Sequence, residues 1–175
     1  FFFLDSNAKG TTMVVMKFGG TSVGNAAAIR RVCDIIKSRM PQQPVAVTSA
    51  VGGITNKLVQ LSRLAGAAEK EKADHLLAEI VAQHGQIVGE LGIGDDPAFS
   101  SAYQAGTEML GAAVNDIVAN GELDELYDAL ISVGEFFMAN ILPAVLNKMG
   151  IASAMADSRQ LLRTDSTFSA ARPIF

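Results

Sequence analysis

The sequence predicts an α/β fold with a mainly parallel sheet, and three observations carry that expectation. An apolar run, Met13-Val14-Val15-Met16, leads into the glycine turn Lys17-Phe18-Gly19-Gly20-Thr21-Ser22-Val23-Gly24. A second run, Val45-Ala46-Val47-Thr48-Ser49, follows Pro44 and ends in Ala50-Val51-Gly52-Gly53-Ile54-Thr55-Asn56. Between them, segment 25–39 is amphipathic, with Ile29, Val32, Cys33 and Ile36 at helical spacing. Strand, helix and strand in that order form a βαβ unit, whose crossover makes the two strands parallel. Ligands of open parallel sheets collect at the carboxyl ends of the strands, so both glycine turns are expected to face one crevice.

The first turn has the chemistry of a phosphate cradle. Glycines let backbone N–H groups approach an oxyanion with no Cβ in the way, and a helix beginning near Asn25 adds its positive N-terminal end. Lys17 supplies a full charge. Because that lysine precedes the glycines, the segment matches neither G-x-x-x-x-G-K-[ST] nor G-x-G-x-x-G. The bland alternative is a turn and nothing more.

Helices account for most of the remaining chain. Segment 57–64 continues a helix from the second turn, and 70–91 places Leu76, Leu77, Ile80, Val81, Ile87 and Val88 at helical spacing. Asp95-Asp96-Pro97 reads as a cap followed by proline at the first helical position, opening a helix with Met109, Leu110, Val114 and Ile117, rather than as a metal site. Gly121 punctuates it, and segment 122–130 leads into a helix holding Glu135, Phe137, Ile141, Leu142, Val145 and Leu146, which Pro143 is expected to kink or divide. Gly150 stops that helix, and the position of 151–156 before Asp157 suggests a strand.

The composition excludes several functions. A chain of 175 residues is long enough for one domain with a real core. A net charge of −4 and the lack of a basic stripe argue against a nucleic-acid partner. Charged residues are 18% of the chain, below the roughly 25% usual in soluble domains, while hydrophobic residues reach 49%, which implies surface meant for burial. Cys33 is the only cysteine, so no intramolecular disulfide or cysteine metal cluster is expected, and its apolar neighbours mark it as core-facing. His75 and His84 lie on different turns of one helix, which favours surface or packing roles over metal binding. Phe1-Phe2-Phe3-Leu4 lacks the basic flank of a signal peptide and the length of a membrane span. Residues 1–12 are therefore expected to be a poorly ordered extension to a domain over 13–175, in a cytoplasmic protein.

Taken together, Lys17-Phe18-Gly19-Gly20-Thr21-Ser22-Val23-Gly24 resembles the amino-acid kinase family, and within it the aspartokinases. Thr48-Ser49-Ala50-Val51-Gly52-Gly53-Ile54-Thr55-Asn56 resembles the family's second loop, in which a serine-alanine pair and a downstream threonine help hold phosphate and substrate. Those roles fall to Ser49, Ala50 and Thr55. Ser132-Val133-Gly134-Glu135 resembles the family's Gly-Glu element and gives Glu135 the amino group of the substrate. Asp157-Ser158-Arg159-Gln160-Leu161-Leu162-Arg163-Thr164-Asp165, with Arg172-Pro173, resembles the family's next stretch of chain. Residue by residue there are plainer alternatives: Thr55 as a helix N-cap, Glu135 as a first-turn glutamate, and Ser49 as a turn residue.

The resemblance covers roughly residues 13–173 of the sequence. It implies a three-layer α/β/α sandwich that is incomplete and carries a helix-rich insertion. The half that grips the nucleotide base, and the regulatory domains, are expected beyond Phe175. It further implies ATP as co-substrate with Mg²⁺, and phosphorylation of the aspartate β-carboxylate to 4-phospho-aspartate, which opens the route to lysine, threonine and methionine. Lys17 becomes the catalytic cation, and Phe18, Gly19, Gly20, Thr21, Ser22 and Gly53 join it around the phosphates. No protein metal site, nucleic acid or membrane is expected, and the apolar excess suggests a homo-oligomer or pairing with the missing half. Two readings compete: a non-catalytic binding or assembly module of this fold, and a kinase for another small carboxylate.

Overall fold

A computed structural model describes residues 13–175. The expectation for residues 1–12 lies outside the described residues. Strands β1 (Val14–Phe18) and β2 (Pro44–Thr48) pair in parallel, in register from Val14 opposite Pro44 to Phe18 opposite Thr48. Helix α1 (Ala26–Ser38) makes the crossover and buries Ile29, Val32, Cys33 and Ile36, so the expected βαβ unit is present. Its start is set by Asn25, whose side chain accepts the Ala28 N–H at 2.9 Å.

Four longer elements follow: α2 (Ile54–Gly66), α3 (Lys70–Leu91), α4 (Pro97–Asn120) and α5 (Asp124–Lys148), then a single turn, α6 (Ser158–Leu161). Asp96 caps α4 by accepting the Phe99 N–H at 2.9 Å, with Pro97 at the first position, as the dipeptide implied. α5 is the central helix, packed against α1, α2, α4 and β2, and it buries Leu130, Val133, Phe137, Ile141 and Leu142. Among the described residues it is also the one helix long and apolar enough to cross a membrane, and most of that stretch is buried inside the protein.

Two expectations are corrected. α5 is not divided at Pro143, which is buried: packing on several sides outweighs the hydrogen bond that proline removes. Segment 151–156 forms no strand. A strand needs a ladder partner, and a groove separates β2 from this segment. Ser153 instead bonds the Asn147 side chain, donating its N–H at 2.8 Å and accepting at its carbonyl at 3.0 Å.

The helices cover one face of the sheet, where Phe18 and Ala46 are buried. On the other face Val15 and Val47 stand 65% and 47% exposed, with Lys17 opposite Val47. The architecture is thus an incomplete α/β sandwich with a small parallel sheet and many helices, and among the described residues one sheet face is left bare.

Candidate active site

Both glycine turns lie at the carboxyl ends of the paired strands. The ladder extends one step past them, where the Ser49 N–H donates to the Phe18 carbonyl at 3.1 Å. From there the first turn coils through a 3₁₀ segment (Gly20–Val23), closed by the Ser22 N–H on the Gly19 carbonyl at 2.9 Å. The second turn closes by the Ile54 N–H on the Val51 carbonyl at 3.0 Å, and Gly53 adopts a φ of +83° that disfavours any side chain.

The two turns touch through bare backbone. A Cβ on Gly20 would sit 3.2 Å from the Ala50 carbonyl oxygen, and one on Gly52 would sit 3.2 Å from the Gly20 oxygen and the Gly24 Cα. These glycines therefore serve close approach, since neither has a positive φ. The result is an open depression of about 510 Å³ whose lining includes Gly20, Thr21, Ser49, Ala50, Gly53 and Thr55. No side chain caps α2, so its N-terminal end points its dipole into this space without a side-chain oxygen on it.

Lys17 is exposed at the end of β1, one residue before Phe18, and is not among the residues that line the depression. Its Nζ lies 3.4 Å from where a Cβ on Gly19 would be, and it has no carboxylate partner among the described residues. Ser22 is exposed on the same turn. Phe18 is 9% exposed, so only its backbone faces outward, which limits the contact expected of it.

Glu135 reaches the site from α5. Its Oε1 accepts the Ala50 N–H at 3.1 Å, tying the central helix to the second turn. Gly134 makes that approach possible, because a Cβ there would lie 2.9 Å from the Ala50 Cβ and 3.1 Å from Leu58 Cδ1. Two plain alternatives are thereby removed: Glu135 lies in the middle of α5 rather than its first turn, and the N-cap of α2 is Gly53 rather than Thr55.

A second hollow, also about 510 Å³, runs from Glu135 along β2, lined by Thr48, Ser132, Phe136, Asp157 and Arg159 among others. Hydrogen bonds from Arg159 hold the Asp157 carboxyl below the usual carboxylate range, and the same pairing raises Arg159. The sequence marked this stretch by resemblance but assigned no role to Asp157 or Arg159. The adjacency of an aspartate and an arginine two residues apart was the available signal.

Comparison with known proteins identifies the family to which the fold belongs. The amino acid kinase family profile matches residues 12–172. The chain is 32% identical over 168 residues to the aspartokinase of Chlamydia trachomatis, a match covering 93% of this chain and 34% of that protein. It is 33% identical over 156 residues to aspartokinase 1, chloroplastic, of Arabidopsis thaliana, covering 87% of this chain and 26% of the relative. Among solved structures, Escherichia coli aspartokinase III in complex with aspartate and ADP superposes with a TM-score of 0.82 at 27% identity, over 93% of this chain and 35% of that one. The chain spans about a quarter to a third of the length of these relatives. With the profile running over nearly its whole length and the paired glycine turns in place, this chain belongs to the amino acid kinase family.

Proposed function

We propose that this chain is the phosphate-holding and amino-acid-holding part of an ATP-dependent aspartate kinase, which transfers the γ-phosphoryl group to the aspartate β-carboxylate and so opens the route to lysine, threonine and methionine. The hydrogen bond from the Ala50 N–H to Glu135 carries this reading, since it joins an acceptor for a substrate ammonium to a loop facing the phosphate cradle. The E. coli relative was crystallised with aspartate and ADP, which supports the same substrate pair here.

The β-carboxylate is ionised at neutral pH and needs no strong general base. One of its oxygens attacks the γ-phosphorus, the bond to the β-phosphate oxygen breaks, and ADP leaves. Catalysis is then a matter of placement and charge. Lys17 neutralises charge on the transferring group, while Gly19, Gly20 and Gly53 offer backbone N–H groups, with Thr21 and Ser22 hydroxyls beside them. Ser49 and Thr55 line the same hollow from the other turn and meet substrate and phosphate, and Glu135 receives the ammonium. Mg²⁺ bound to the nucleotide would neutralise further phosphate charge.

The bare valine face of the sheet favours pairing with more polypeptide or with a second copy, and the acidic chain fits a cytoplasmic enzyme without a nucleic-acid partner. Calorimetric titration with ATP and aspartate, run beside a coupled ADP-release assay, tests the proposal. Binding of both ligands supports it. Binding without turnover indicates a holding module that acts only with the remaining polypeptide, and binding of neither ligand overturns it.

A further inference from the structure

The segment after α5 holds an arrangement to which the proposed chemistry gives no role. Arg159 Nε donates to both Asp157 carboxylate oxygens, at 3.0 and 3.1 Å, and its Nη2 donates at 2.7 Å. The same carboxylate accepts the Arg159 backbone N–H at 2.9 Å, so backbone and side chain are fixed together. Held this way, the guanidinium lies over the Phe136 ring, 5.5 Å from its centroid, and Nη1 reaches the Ser132 hydroxyl at 3.5 Å. Ser132 in turn donates to the Ala129 carbonyl at 2.8 Å.

Ser132 and Phe136 are four apart on α5, neighbours on one helical face, and Glu135 belongs to the turn they bound. All five side chains line one groove. The pair is not deeply buried, with Arg159 43% and Asp157 15% exposed, so it adds little to global stability. What a multiply bonded arginine does supply is direction: a planar fork gripped at several points cannot swing as a lysine can.

We propose that Arg159, locked by Asp157, is a positioning residue for Glu135. It fixes the 132–136 turn of α5, and with it the carboxylate that accepts the Ala50 N–H. It acts through Ser132 and Phe136 without touching substrate. The proposal rests on the reading of Glu135 as the ammonium partner, but its test does not.

The Ala50 amide is the reporter, followed by nuclear magnetic resonance on the isotope-labelled chain. Glu135→Ala defines where the resonance lies without the bond. Arg159→Ala is expected to move it toward that position and speed its hydrogen exchange several-fold, with little change in thermal midpoint. Arg159→Lys, which keeps the charge and loses the fork, falls between. Arg163→Ala, outside the groove, leaves the resonance in place. Should Arg159→Ala not fold, Asp157→Asn gives the same comparison with the arginine retained. An unmoved Ala50 amide in either folded variant overturns the proposal. So does weaker aspartate binding with that amide unmoved, which would make Arg159 a direct ligand contact. A wild-type chain whose amides ignore added aspartate removes the ammonium reading, while a shift caused by Arg159→Ala still establishes the positioning role.

Discussion

Lys17 and His84 show opposite uses of an ionisable side chain. Lys17 is exposed and unpaired among the described residues, so its removal disturbs no packing. Lys17→Ala should lower turnover by on the order of 3 kcal/mol, about a hundredfold, because a preorganised cation at developing charge is worth that much. The assay is coupled ADP release on whichever length of the polypeptide turns over, with the thermal midpoint unchanged, and near-normal turnover would take Lys17 out of the mechanism. His84 is fully buried against Phe137, with ring centroids 4.4 Å apart; its Nδ1 faces the Ile80 carbonyl at 2.9 Å and its Nε2 has no partner among the described residues. Burial lowers its pKa below the ordinary 6.5, so the folded state prefers the neutral ring while the unfolded state takes up a proton. Its contribution to stability is complete above 6.5 and is lost as the pH falls below that value toward the lowered one. Urea unfolding over a pH series should show this slope, and His84→Phe, which keeps a ring against Phe137, should flatten it.

Among elements, the decisive event is the meeting of α5 with the second glycine turn. Gly134 is where they touch, and three side chains, from Ala50, Leu58 and Ile54, lie within 3.4 Å of the Cβ it lacks. Gly134→Ala should therefore destabilise by about 1–3 kcal/mol through overpacking, only partly offset by the roughly 1 kcal/mol that alanine gains within a helix. Denaturant titration checks the sign: a stabilised variant would mean that α5 can retreat from the turn at no cost. Similar economy governs the far end of α3, where Lys148 donates to the Gly92 carbonyl at 2.6 Å and Arg30 to that of Glu90. Two cations from α5 and α1 thus meet the negative end of that helix, joining three elements at one point.

For the molecule as a whole, the bare face of the sheet matters most. Purely parallel strands are ordinarily covered on both faces. Here Val15 and Val47 remain outside, in a chain that spans about a quarter to a third of its relatives. The expected consequence is self-association that grows with concentration, read by sedimentation velocity. Val15→Thr with Val47→Thr keeps β-branched residues in the strands and should shift the distribution toward monomer; an unchanged distribution would remove this face from assembly.

The sequence alone determined the elements whose causes are local. The two glycine turns, the helix start near Asn25, the Asp96 cap, the amphipathic crossover helix and the burial of Cys33 all arise from neighbours in the chain, and all were legible. Resemblance added Glu135 and the order of the motifs. Tertiary structure decided what depends on distant partners. Segment 151–156 found no strand to pair with, packing kept α5 undivided at Pro143, and the N-cap of α2 fell to Gly53, two residues before Thr55. It also brought Ala50 to Glu135, 85 residues away, and Arg159 to Ser132 and Phe136. A motif fixes which groups a segment offers; which groups they meet is set by the packing of α5 against the turns, and no local pattern encodes that.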